Sequence, residues 1–191
     1  MKYIIMADGK GTRWDNYNHI PKHFIKIGNE TLLERTVRLL KEREPSSTVY
    51  ITSHDPRYEV KGAIRYEPLH NVLEIDRFTE ELIADDVCFL YGDTYYSEEA
   101  MDRITGEKVK DLMFFGNEKS IVAIKVKDGA LFKQHVDRVR TLFLHHLISS
   151  CKGWQVYQSF AGLPYTHKEI GEHYIYLKDE TRDFNSPSDL K

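Results

Sequence analysis

A chain of 191 residues, 41% hydrophobic and 30% charged, is long enough to bury a core and polar enough to remain in water. Its formal net charge of −3 provides no basic footprint for neutralising a phosphate backbone, so nucleic acid is not expected as a partner. No stretch approaches the roughly 20 apolar residues of a membrane span, and Cys88 and Cys151 form no C-x-x-C pair; with a charged loop directly after the first apolar run, this reads as a cytoplasmic chain with reduced thiols and no leader or membrane contact.

The first element is a strand over Lys2 to Ala7, apolar nearly throughout, as in a parallel sheet covered on both faces. It opens into Asp8-Gly9-Lys10-Gly11-Thr12-Arg13, where two glycines allow backbone conformations closed to other residues. Backbone N–H groups of such a loop can curl around an anion, and Arg13 and Lys22 can add formal charge, which points to a nucleoside triphosphate. The dinucleotide-binding pattern needs a third glycine where Trp14 stands, and Gly9-Lys10-Gly11 does not end as a Walker A loop does. After a turn at Gly28-Asn29-Glu30, Thr31 and Glu34 form a capping-box pair for a helix that buries Leu32, Leu33, Val37, Leu39 and Leu40 and ends by Pro45.

Strands follow at Thr48 to Thr52 and, more briefly, at Ala63 to Tyr66; Leu73 to Ala84 reads as a helix. Val87 to Tyr91 is a second continuous apolar run that stops at Gly92-Asp93, and Ser97 caps a short helix after it. Leu112 to Phe115 and Ser120 to Val126 read as strands joined through Gly116-Asn117, Leu131 to Ile148 has helical spacing, and His173 to Leu177 is a last strand before the tail Asp183 to Asp189. Strands alternating with helices, without repeat or linker, predict one α/β domain over 1–191 with a mainly parallel sheet. Ligands of such sheets sit beyond the carboxyl ends of the strands, which places the Gly9–Arg13 loop and Asp93 at one edge. Asp93-Thr94-Tyr95 lacks the Asp-x-Asp of related glycosyltransferases, and the nine histidines, with His145-His146 adjacent, show no metal-ligand spacing. Lys125, within an apolar strand, reads as a solvated outward lysine or as one that meets a phosphate; Tyr91, Tyr95 and Tyr96 read as packing or as the wall of an acceptor pocket.

Gly9-x-Gly11-Thr12-Arg13, Pro21-Lys22, the run Phe24 to Ile27, Gly28 to Leu33, Gly92-Asp93 and Asp183 to Asp189, in that order, resemble the nucleotidyltransferase superfamily. That superfamily holds sugar-phosphate nucleotidylyltransferases, small-acceptor cytidylyltransferases and the related molybdopterin guanylyltransferases. Two departures are Asp8, where a small residue is usual, and Trp14, where Leu or Met is usual; Asp8 would touch base or ribose, or point to solvent. The chain is also shorter than most relatives, which points to a small acceptor.

The resemblance implies a three-layer Rossmann-like fold and transfer of NMP from an NTP, with CTP favoured by analogy, to a small phosphorylated or phosphonate acceptor. Pyrophosphate would leave, and the product would serve cell-surface polysaccharide or glycoconjugate synthesis. It implies nucleotide binding by Ala7, Asp8, Gly9, Lys10, Gly11, Thr12, Arg13 and Lys22, with Arg13 on the leaving phosphates and Lys22 near the α-phosphate. Mg²⁺ would be held by Asp93 with Asn185 or Asp183, and the protein would be a monomer or homodimer. The competing readings are a nucleotide-binding regulatory domain without turnover, which Asp8 favours, and a molybdopterin guanylyltransferase.

Overall fold

The computed structural model describes residues 1–11, 14 and 17–190, apart from the side chains of residues 18 and 190. The chain starts with β1 (Lys2–Met6), then a hairpin of β2 (Lys26–Ile27) and β3 (Glu30–Thr31), and α1 (Leu32–Arg43). β4 (Thr48–Thr52), β5 (Ile64–Tyr66), β6 (Val87–Tyr91), β7 (Thr94–Tyr95) and α2 (Glu98–Gly106) follow. The second half holds β8 (Leu112–Gly116), β9 (Ile121–Val126), α3 (Gly129–Leu144), α4 (Gly153–Ala161), β10 (Tyr174–Tyr176) and β11 (Arg182–Asp183).

Seven strands form one sheet in the order β10-β8-β9-β6-β1-β4-β5. β9 runs antiparallel to both β6 and β8, while β6, β1, β4 and β5 are parallel, as are β8 and β10. Successive side chains of a strand point to opposite faces, and in β1 both sets are buried. Tyr3 and Ile5 pack with Leu33, Val37 and Leu40 of α1 and Met101 of α2; Ile4 and Met6 join Phe89 of β6, Phe132 and Val136 of α3, and Tyr157 of α4. This is the three-layer α/β arrangement expected, and it explains why β1 reads as an unbroken apolar run.

Local chemistry sets most boundaries. Thr31 accepts from the Glu34 N–H and Glu34 accepts from the Thr31 N–H, completing the capping box of α1, and Ser97 accepts from the Ala100 N–H to start α2. Three expectations change. Leu73 to Ala84 is two 3-10 turns, Glu74–Phe78 and Glu80–Leu82, separated by Thr79 in the left-handed region (φ 49°). α3 begins earlier, because Asp128 caps it through the Leu131 N–H, and ends earlier, before His146 at φ 57°. α4 was not anticipated; it starts at a glycine and spans only nine residues, too few for a clear periodic signal. Among the described residues no helix is long and apolar enough to cross a membrane.

Candidate active site

β1 and β6 are parallel neighbours in register, Met6 opposite Tyr91, so the chain leaves both strands side by side at one edge. The Gly92 N–H donates to Met6 O at 2.9 Å. A Cβ at Gly92 would lie 2.8 Å from that oxygen and 3.2 Å from both Ala7 Cβ and His23 Cδ2. Only glycine lets the two loops touch.

Lys22 follows Pro21 at the start of a 3-10 turn over Lys22–Phe24, and its ammonium is ion-paired with the carboxylate of Asp93. Both side chains are largely shielded, 12% and 14% exposed. Behind them His23 is buried, with Nδ1 2.8 Å from the Tyr58 hydroxyl. Burial lowers its pKa to about 4, so the imidazole is neutral at pH 7.

The C-terminal tail closes on the same place. β11 pairs antiparallel with β7, Asp183 opposite Thr94, and the Phe184 N–H donates to Asp93 O at 2.8 Å. Asp183 accepts from the Asn185 amide and from Ser120 Oγ (3.3 Å), while Asp189 Oδ2 accepts the backbone N–H groups of Asn185 and Ser186 at 2.8 Å each. Gly9, Lys22, Asp93, Asp183 and Asn185 therefore line one cavity of about 490 Å³. Among the described residues no group of three His, Cys, Asp or Glu side chains forms a metal cluster. Two carboxylates and an amide oxygen, one carboxylate already carrying the Lys22 ammonium, suit Mg²⁺, which commonly takes one or two protein carboxylates and completes its shell with phosphates and water.

The remaining residues of the loop after β1 sort clearly. Ala7 is buried, and its N–H donates to Thr52 O at 3.2 Å. Gly11 adopts φ +59°, the left-handed conformation its residue type permits, and Lys10 is exposed. Thr12 and Arg13 lie outside the described residues. Trp14 is buried and donates from Nε1 to Ile20 O at 2.8 Å. Asp8 does not point to solvent. Its carboxylate accepts from the His54 N–H (2.9 Å) and from Asn71 Nδ2 (2.8 Å), and lies 2.6 Å from His54 Nδ1. It ties the loop to the ends of its neighbours, on the rim of a second cavity of about 350 Å³ that Trp14, His54 and Tyr58 also line.

Neither reading of Lys125 holds. It is buried, and its ammonium donates to the carbonyls of Ile104 (3.0 Å), Thr105 (2.8 Å) and Glu107 (2.7 Å), closing the C-terminal end of α2. Of the three tyrosines, Tyr91 lines the larger cavity. Tyr96 is core, donating to Val122 O at 2.6 Å, and Tyr95 lies beneath the Arg35 guanidinium, 4.7 Å from its ring centroid. Residues not singled out from sequence complete the cavity: Arg77 from the 3-10 turn Glu74–Phe78, and Lys152 and Trp154 at the start of α4. Their elements were misread or unseen, so no pattern placed them there.

No family model matches the chain, and no curated protein matches it in sequence. In three dimensions it is similar to the CTP:phosphocholine cytidylyltransferase LicC of Streptococcus pneumoniae, at 13% identity and TM-score 0.59 over 99% of this chain and 95% of that one. It is also similar to the 2-C-methyl-D-erythritol 4-phosphate cytidylyltransferase of Thermus thermophilus, at 15% identity and TM-score 0.61 over 99% and 94%. The inositol-1-phosphate CTP transferase of T. maritima aligns at 13% identity and TM-score 0.59 over 100% and 91%. This chain thus spans at least 91% of the length of each of these three. The chain has the Rossmann-like α/β fold that these nucleotidyltransferases share.

Proposed function

We propose that this chain is an NTP-dependent nucleotidyltransferase: an acceptor phosphate or phosphonate oxygen attacks the α-phosphorus of an NTP, and pyrophosphate leaves. The observation that carries the reading is the convergence of Gly9, Lys22, Asp93 and Asp183 on one cavity at the carboxyl edge of β1 and β6. Such a transfer needs positioning and charge neutralisation more than covalent help.

In this reading Gly9 to Thr12 cradle the triphosphate with backbone donors, and Arg13 binds the leaving phosphates. Lys22 moves its charge from Asp93 to the oxygens around the α-phosphorus. Asp93 and Asp183, with Asn185, hold Mg²⁺, which when bound neutralises phosphate charge. The acceptor oxygen is already anionic, so no general base is needed. His23, buried and neutral, supports Lys22 without taking a proton. CTP is the favoured donor by analogy with small-acceptor cytidylyltransferases; three neighbours are named for cytidylyl or CTP transfer, and another of TM-score 0.61 for thymidylyl transfer.

The test is pyrophosphate release with each of the four common NTPs and Mg²⁺ against a panel of phosphorylated acceptors, beside thermal melting with each NTP. A nucleotide at about 100 times its dissociation constant adds roughly 2.7 kcal/mol of stability. One NTP that both stabilises the protein and yields pyrophosphate supports the enzyme. Stabilisation without pyrophosphate from any acceptor would leave the regulatory-domain reading, and no stabilisation would remove both.

A further inference from the structure

Arg77 stands in the larger cavity without a role in the reading above. It belongs to the 3-10 turn Glu74–Phe78, and that geometry decides where it points. With 3.0 residues per turn, side chains three apart eclipse one another. Ile75 and Phe78 are both buried in the core, whereas Glu74 and Arg77 both line the cavity.

The turn is fastened on every side. Phe78 packs edge-on against Phe89 and Phe132, with centroids at 5.5 and 5.3 Å. Asp76 accepts the N–H groups of Val72 (3.0 Å) and Leu73 (2.8 Å) and is ion-paired with Arg140 at 3.0 Å. Thr79, buried and left-handed, ends the turn.

The guanidinium is thereby held against the phosphate loop. A Cβ built on Gly9 would meet Arg77 Cζ at 3.4 Å and Nη2 at 3.5 Å. Among the described residues no carboxylate lies within ion-pair distance of Arg77, although Glu74 on the same face is occupied by Lys152 at 3.3 Å. The charge of Arg77 opposes protonation of His23 across the site. A planar, permanently charged fork with open donors beside a backbone anion cradle is suited to bidentate capture of phosphate oxygens.

We infer that Arg77 is a phosphate-binding residue of this site, clamping the polyphosphate of the donor against the Gly9 loop. The inference deepens the nucleotidyltransferase reading, but it concerns a phosphate chain and can be measured without turnover. An acceptor phosphate has the same chemistry, so the donor is titrated alone.

The experiment is calorimetric titration of wild type, Arg77→Gln and Arg77→Lys with inorganic tripolyphosphate and with CTP, each with Mg²⁺ and without acceptor, after a melt confirms that each variant folds. Arg77 is half-exposed, so both variants should melt close to wild type; Arg77→Lys serves if the glutamine variant does not fold. The expected result is at least tenfold weaker binding of both probes by Arg77→Gln, with Arg77→Lys recovering only part of it. Equal affinity in wild type and variants overturns the inference, as does failure of wild type to bind either probe. Unchanged titrations beside a raised KM for acceptor in a separate pyrophosphate-release assay assign Arg77 to the other phosphate and overturn it too. Tripolyphosphate binding that depends on Arg77, in a protein that transfers no nucleotide, sustains the clamp and rejects the enzyme.

Discussion

Lys22 and Asp93 lie 71 positions apart, yet their charges meet in a shielded pocket. Removing the cation leaves Asp93 without its partner and removes the positive charge expected at the α-phosphate. Lys22→Ala is therefore expected to lower kcat by at least about 10², with the melting curve still cooperative; pyrophosphate release near the wild-type rate would reject that role. His23 makes a separate prediction about pH. Its folded pKa, about 4, lies below the ordinary histidine value. Its contribution is thus fully present above about pH 6.5 and is lost as pH falls towards 4, because the unfolded chain takes up a proton that the folded one refuses. The loss amounts to about 3 kcal/mol at most. Urea midpoints at pH 7 and pH 4.5 should converge in His23→Gln relative to wild type, and an unchanged difference would show that other groups set the acid limit. At this scale Gly9, Lys22 and Asp93 were legible as residue types at meaningful spacing. The burial of His23 was not, because only the folded core decides which histidine loses its water.

Among elements, those whose ends are fixed by local hydrogen bonds were readable. Thr31 with Glu34, and Ser97 with the Ala100 N–H, act within four residues and mark α1 and α2 wherever the chain goes. The segment after Leu73 was not readable. Its apolar spacing suits an α-helix, but Asp76 spends its carboxylate on the N–H groups of Val72 and Leu73 and on Arg140 of α3, and Thr79 turns left-handed. Lys125 shows the same limit in β9. The strand pattern was right, but what the lysine meets depends on the end of α2 lying alongside. Replacing it with methionine leaves three carbonyls without their donor, so Lys125→Met should cost about 1–3 kcal/mol in denaturant unfolding. Per-molecule activity should survive, since Lys125 does not line the cavity. A variant as stable as wild type would mean that water replaces the ammonium.

For the whole molecule, the decisive contact is between the tail and the centre. Phe184, directly after β11, is buried, so Phe184→Ala should cost about 3–5 kcal/mol. It should also loosen Asp183 from Asp93, and the concentration of Mg²⁺ needed for half-maximal pyrophosphate release should rise. An unchanged Mg²⁺ requirement at reduced stability would reject the metal role proposed for Asp183. By itself the sequence determined the strands of the sheet and its three layers, and it carries the pattern from which an anion-binding first loop is proposed. These rest on signals carried within a few residues: apolar runs, caps, and glycines followed by cations. Only the tertiary structure decided that Gly92 presses the β6 loop onto Met6, that Asp8 is spent on His54 and Asn71, that Lys125 caps α2, and that Arg77 lies against Gly9. In each case the partner is distant in sequence, and the energy comes from burial or charge pairing that exists only once the sheet has brought the edges of its strands together.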